Sequence, residues 1–214
     1  MDLIAIILAA GASTRMGRDK AALPWLDGTP LLQWMTNVLA ESGWRPIVVV
    51  GPHNHSLWRK CIPDANLVVN PSPERGKTGS IATAVRSLCV PVRKLLVTSV
   101  DQPRPPLLYQ LLREAAVERS ELIVAPNNTG RRGHPVIVDG SLCERLLVLN
   151  EATLGLRGLL NEFDSSMHLL ECNPSWLQWD CNTPEAYRAA LAWFQLHLAS
   201  RTAGKAAIIA RNPP

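Results

Sequence analysis

The chain has no apolar run of bilayer length near its start: Leu3 to Ala10 lasts eight residues, against the roughly twenty that a spanning helix needs. The run follows an acidic Asp2, so it lacks the basic flank of a signal peptide. These absences argue against a membrane helix and predict a soluble, cytoplasmic protein with no membrane partner. Paired cysteines are also missing. Cys61, Cys89, Cys143, Cys172 and Cys181 are scattered, with no C-x-x-C pair and no His at zinc-finger spacing, which fits reduced thiols in a cytosolic protein. No basic stripe interleaved with aromatics occurs. Three of the four net positive charges belong to the last fourteen residues, through Arg201, Lys205 and Arg211 with no acid among them. The basic balance is therefore a property of the tail, and no nucleic-acid partner is expected. Internal repeats, the G-x-G-x-x-G fingerprint and a Walker A loop are absent as well. Gly76-Lys77-Thr78 makes no phosphate loop, because Pro71 stands where that pattern needs glycine.

What is present is enough for one sizeable core. The 214 residues are 47% hydrophobic and 19% charged, which suits a single domain over residues 1–200 with 201–214 as a flexible tail. Short apolar runs bounded by turn residues recur at Leu3 to Leu8, Ile47 to Val50, Leu67 to Val69, Leu95 to Val97, Leu122 to Ala125 and Val136 to Val138. Each has the length of a buried strand. Helical periodicity occupies Leu31 to Ala40, Ile81 to Leu88, Leu107 to Val117 and Leu142 to Leu149. Thr183 and Pro184 form a helix start leading into Ala186 to Leu198. Such alternation predicts an α/β fold with a mostly parallel twisted sheet covered by helices. Trp34, Trp58 and Trp193 lie within apolar helical patterns and are expected to pack rather than to stack on bases.

The segment Leu8-Ala9-Ala10-Gly11-Ala12-Ser13-Thr14-Arg15-Met16-Gly17-Arg18-Asp19-Lys20 leaves the first strand with small residues, hydroxyls and three cations. Gly11 is expected to take positive φ and to let a phosphate or base approach the backbone, with Ala9 and Ala10 keeping the path clear. A loop at the carboxyl end of a buried strand opens where α/β sheets bind ligands. Arg15 offers a bidentate fork and Lys20 a mobile point charge, so both suit a triphosphate. Lys20 is expected nearest the α-phosphate.

Leu8-Ala-Ala-Gly11-x-x-x-Arg15-Met16-Gly17-x-x-Lys20 resembles the signature of the molybdenum-cofactor nucleotidyltransferases, within the wider sugar-nucleotide and methylerythritol cytidylyltransferase superfamily. The resemblance runs from about Leu3 to Leu198 and implies a Rossmann-like three-layer nucleotidyltransferase fold. It also implies an enzyme that transfers a nucleotidyl group from a nucleoside triphosphate to molybdopterin or a related phosphate acceptor.

Asp101, just beyond the Leu95 to Val97 strand, is a candidate Mg2+ ligand, since a hard cation takes one or two carboxylates beside substrate phosphates. The resemblance assigns an Asp-x-Pro here to that role; the plain alternative is a cap on a helix beginning near Pro105. Asp180 and Asn182 are the second metal candidates, sharing a face if their segment is extended. Asn70, Gly79 and Ser80 resemble the nucleobase-binding loop of the family, against a plain reading of Ser80 as a helix N-cap. Arg132, Gly133 and His134, beside Arg131, resemble an acceptor site, with arginines suited to a terminal phosphate; a turn residue is the plain reading of His134. His53 and His55 have no third metal ligand nearby in sequence and are not read as a metal site.

The first loop, the Asn70 loop and Gly-His-Pro are closer to the cytidylyltransferase branch, so CTP is favoured over GTP. Alternatives stay open: a GTP-dependent guanylyltransferase, a cytidylyltransferase for another acceptor such as methylerythritol phosphate, and a non-catalytic carrier delivering a pterin to an apo-oxidoreductase.

Overall fold

The first apolar run sits at the centre of a sheet whose two faces are both covered. The structure, a computed structural model, describes residues 2–13, 16–61 and 66–209, without the side chains of residue 66 and of 199 onward. Strands β1 (Asp2–Ala9), β2 (Arg45–Val50), β3 (Asn66–Val69), β4 (Val92–Ser99), β5 (Ile123–Asn128), β6 (Arg131–Arg132), β7 (Val136–Asp139) and β8 (His168–Leu170) alternate with helices. The helices are α1 (Leu31–Glu41), α2 (His55–Cys61), α3 (Gly76–Arg86), α4 (Pro106–Glu118), α5 (Cys143–Leu147), α6 (Gly155–Asn161) and α7 (Pro184–Ile209). Strand order is β3-β2-β1-β4-β7-β5-β6, with β8 also paired to β5. β3, β2, β1 and β4 run parallel. β7 is antiparallel to both β4 and β5, while β8 is parallel to β5.

The period-2 geometry of a strand divides β1 between two cores. Ala5, Ile7 and Ala9 meet Leu31, Met35 and Leu39 of α1, Leu108 and Leu112 of α4 and Phe194 of α7. Ile4, Ile6 and Leu8 meet Ile81 and Ala84 of α3, Leu146 of α5 and Leu159 of α6 on the other face. Burial on both sides explains why the strand is a continuous apolar run rather than an alternating one. The result is the expected three-layer, mostly parallel α/β architecture. Aromatics pack one flank: Trp25 lies 5.1 Å from Phe194 and 5.8 Å from Trp34, centroid to centroid. Trp58 is buried, in keeping with the packing role expected of the tryptophans.

Several boundaries differ from the sequence expectation. α3 starts at Gly76 rather than Ile81, because its first turn is polar and faces the cleft, where apolar periodicity leaves no trace. β6, β8 and α6 were not anticipated; β6 spans two residues and β8 three, too short for a period-2 pattern. α7 continues from the expected start to Ile209. No helix among the described residues is long and apolar enough to cross a membrane.

Candidate active site

The carboxyl ends of β1 and β4 open side by side, since these strands are paired neighbours. The loop after β1 is braced from below. Asp19 accepts from Ala21 N (3.0 Å), Asn54 Nδ2 (3.0 Å) and Trp58 Nε1 (3.4 Å). Asn54, itself buried, also donates to Ala9 O and accepts from Gly51 N. The polar groups of a tight turn are thereby satisfied inside the fold. Ser13 Oγ accepts from Lys20 N at 3.1 Å, closing the loop onto the short 3-10 turn Lys20–Ala22.

Gly11 does not carry the positive φ expected of it; Ser13 (52°) and Gly17 (66°) do. The turn falls two residues later because Met16 N bonds to Ser13 O, which places the reversal at Ser13. A Cβ on Gly11 would meet nothing within 4 Å, so the space before it is open to the cleft. Arg15 lies outside the described residues.

Lys20, only 8% exposed, donates to Asp101 Oδ2 (3.1 Å) and Asn182 Oδ1 (2.6 Å). Three of the predicted residues, separated by up to 162 positions, thus converge on one ammonium. Asp101 is not a helix cap: α4 begins at Pro106 with Pro105 at its N-cap. Its backbone carbonyl accepts from Cys181 N, which holds the Asn182 segment beside it. Burial, with the Asp101 charge adding to it, pushes the Cys181 thiol up to about 12, leaving an inert packing residue.

Asp180 goes elsewhere. Asn182 N bonds to Asp180 O, so the segment is turned rather than extended and the two side chains part. The Asp180 carboxylate meets Arg104 Nη2 at 3.1 Å. Arg104, 1% exposed, also donates to the carbonyls of His134, Pro103 and Trp179. A buried guanidinium needs such a charge partner, and this is the physical reason the expected shared face of Asp180 and Asn182 does not form.

The Asn70 loop forms the next wall. Asn70 Nδ2 donates to Ser80 Oγ (3.0 Å) and its Oδ1 accepts from Ser72 N. Ser80 is a buried residue inside α3 and no N-cap; it lines the cleft with Leu8, Ala9, Ala10 and Gly11. Asn70 and Gly79 instead line a small recess behind the loop. A Cβ on Gly79 would stand 3.2 Å from Arg75 Cβ, so this glycine permits close packing. The amino end of α3 is capped by Glu151, whose Oε1 accepts from Thr78 N at 3.0 Å.

Two lobes result. The smaller, about 200 Å³, holds the first loop, Lys20, Asp101 and Ser80. The larger, about 780 Å³, is lined by Gln102, Arg131, Arg132, His134, Glu151 and Arg157 among others. Both share Leu8, Lys77 and Ser99. Arg132 Nη1 pairs with Asp164 (2.8 Å) and Nη2 donates to Asn161. Gly133 N bonds to Pro126 O at 2.7 Å; its missing Cβ lets the strand lie against Pro126 and Leu177. His134 stands at the exposed mouth of the cleft, where desolvation by its crowded surroundings, then the charges of Lys77, Arg104 and Arg132, lower the imidazole to about 4. His134 is therefore neutral at physiological pH, and the cations of the larger lobe are its arginines and Lys77.

Sequence reasoning thus placed the first loop, Lys20, Asp101, Asn182 and Ser80 at one cleft, and Arg132 and His134 at the adjoining lobe. It missed the Asp19–Asn54 brace, Arg104, Glu151, Arg157 and Lys77. Asp19 carried a weak signal through its place beside Lys20. Arg157 carried none, since α6 has no clear periodicity. Among the described residues no cluster of three or more His, Cys, Asp or Glu side chains could hold a metal, His53 and His55 included. Asp101 nevertheless suits a hard cation: its Oδ1 is buried and has no hydrogen-bond partner among the described residues.

The chain and its fold have known relatives. Residues 5–167 match the family model of the MobA-like NTP transferase domain. A molybdenum cofactor guanylyltransferase from Xanthomonas euvesicatoria pv. vesicatoria (strain 85-10) is 29% identical over 189 residues, covering 85% of this chain and 90% of that protein. A molybdenum cofactor cytidylyltransferase from Escherichia coli (strain K12) is 32% identical over 135 residues, covering 62% and 68%. Among solved structures, a nucleotidyl transferase from Methanothermobacter thermautotroptrophicus superposes with a TM-score of 0.75 at 20% identity, covering 92% of this chain and 99% of that one. A loop at the end of β1, a lysine fixed between Asp101 and Asn182 and a family match over three quarters of the chain have one common explanation: the chain belongs to the MobA-like NTP transferase domain family and is a nucleotidyltransferase.

Proposed function

We propose that the protein transfers a nucleotidyl group from CTP to the terminal phosphate of molybdopterin, giving a dinucleotide and pyrophosphate. The observation that carries this reading is the junction of the two lobes at Leu8, Lys77 and Ser99. It puts the compartment that holds the first loop, Lys20 and Asp101 against a larger cationic one. Molybdenum cofactor occurs in the names of the guanylyl and cytidylyl relatives, and the pterin acceptor comes from there. An apo-oxidoreductase that takes up the product completes the proposal.

In this mechanism an acceptor phosphate oxygen attacks the α-phosphorus, forming one P–O bond as the bond to pyrophosphate breaks. The acceptor phosphate is already ionised, so little base chemistry is required; positioning and charge neutralisation supply most of the rate. Leu8 to Gly11 and Ser80 would line the nucleotide compartment. Lys20 would shift from Asp101 toward the α-phosphate, Arg15 would restrain the pyrophosphate, and Arg132 with neutral His134 would orient the acceptor. A divalent cation such as Mg2+, held by Asp101 with help from Asn182, would supply further neutralisation of phosphate charge when bound. Asp180 serves the Arg104 clasp in this reading.

CTP rests on the similarity of the first loop, the Asn70 loop and Gly-His-Pro to the cytidylyl branch. GTP is the second reading, because the guanylyl relative matches more of the chain. Pyrophosphate release with Mg2+ and molybdopterin, compared across CTP, GTP, ATP and UTP, tests both. Release with CTP above the other three is expected; a preference for GTP moves the protein to the guanylyl branch, and no release with any triphosphate contradicts the activity.

A further inference from the structure

Lys77 is the one cation among the described residues that lines both lobes. The other cation of the smaller lobe, Lys20, is committed to Asp101 and Asn182. In the larger lobe Arg132 is committed to Asp164 and Asn161. Lys77 makes no hydrogen bond and no ion pair among the described residues. The fold does not use it either. It occupies the second position of α3, where its charge opposes the positive end of the helix dipole. The carboxylate at that end, Glu151, is engaged with Thr78 N, so it does not serve as the partner of Lys77.

An exposed ammonium that stabilises no element, at the one place where two anion-lined substrates would meet, has a clear chemical use. We infer that Lys77 binds the acceptor's phosphate at the junction of the lobes and holds its attacking oxygen toward the nucleotide. This rests on the nucleotidyl-transfer reading above and adds to it a positively charged contact at the junction of the lobes. A mobile ammonium on a four-carbon stem suits the task, because it presents a point charge to a dianionic phosphate without imposing a planar fork. Arg157 and Arg131 line only the larger lobe and are placed to meet the rest of the acceptor. A second sign that the ammonium faces the cleft is its neighbour across it: among charged groups, Lys77 contributes most to lowering the His134 pKa, ahead of Arg104 and Arg132 and against the opposing pull of Asp180.

The test compares wild type with Lys77→Met and Lys77→Arg. The Met variant should fold and melt no lower than wild type, as it removes a charge that the helix end disfavours. With molybdopterin as acceptor, its acceptor KM should rise by at least about 10-fold, the scale of one charge-assisted contact. Lys77→Arg should restore most of that loss, and the Kd of the preferred triphosphate should move less than about 3-fold in either. An unchanged acceptor KM, or a loss confined to triphosphate affinity, overturns the inference. Titration with inorganic phosphate, followed by 31P NMR, provides a readout independent of turnover. If wild type shows no transfer at all, that titration alone decides. A Kd for phosphate that rises several-fold in Lys77→Met supports the contact, and an unchanged Kd removes it.

Discussion

His134 shows how a single side chain's environment sets its use. Gly-His-Pro resembles part of an acceptor site, yet desolvation at the cleft mouth and the surrounding cations lower the His134 pKa to about 4, below the ordinary 6.5. The unfolded chain therefore binds a proton that the folded chain refuses between those values. Stability from this residue is complete above pH 6.5 and declines as the pH falls toward 4. Imidazole chemical shifts should titrate with a midpoint near 4, and His134→Gln should flatten the acid limb of the stability profile. A midpoint at 6.5 would mean that the cleft leaves the ring unperturbed. The placement of polar residues was legible where each lies in a short motif, as with Lys20 and Asp101, which meet in the structure. They were illegible where three-dimensional pairing decides. Nothing in the order of residues shows that Asp180 answers Arg104 rather than Asn182's partner, because a buried guanidinium 76 residues away makes that choice.

At the scale of elements, the loop after β1 is held less by its own sequence than by α2. Asn54, in the turn before that helix, satisfies Gly51 N, Ala9 O and Asp19 Oδ2 together. Asn54→Ala leaves the buried Gly51 N without its side-chain partner and Asp19 Oδ2 with Trp58 Nε1 alone, and should cost about 1–3 kcal/mol, measurable as a lower urea midpoint. Because Asp19 precedes Lys20, the same variant should also raise the KM for the triphosphate. A loss of stability with unaltered KM would separate the brace from the site. The long strands and amphipathic helices were legible as apolar runs and periodicities, the central strands buried against both cores and each helix against one. β6, β8 and the polar first turn of α3 were not. Their residues face the cleft or span too few positions for a pattern.

In the whole molecule, the central sheet has two reversed strands, β7 between β4 and β5 and the two-residue β6 at the edge beside β5. The parallel half, through β1 and β4, supplies the loops of the smaller lobe. The half beyond β7 supplies Arg131, Arg132 and His134, and α6 closes the larger lobe through Arg157. Sequence alone could place the first half because its loops follow recognisable strands. The second half depends on which strand turns back, and short apolar runs carry no direction. This division predicts the chemistry as well: the nucleotide belongs to one half and the acceptor to the other, with bond exchange at their seam. The most direct measurement follows label from the triphosphate supplied in turn as [α-32P] and [γ-32P] nucleotide, with molybdopterin as acceptor. Nucleotidyl transfer predicts that α-label enters the acceptor product while γ-label leaves as pyrophosphate. Label from the γ position in the acceptor, or none from the α position, would contradict it.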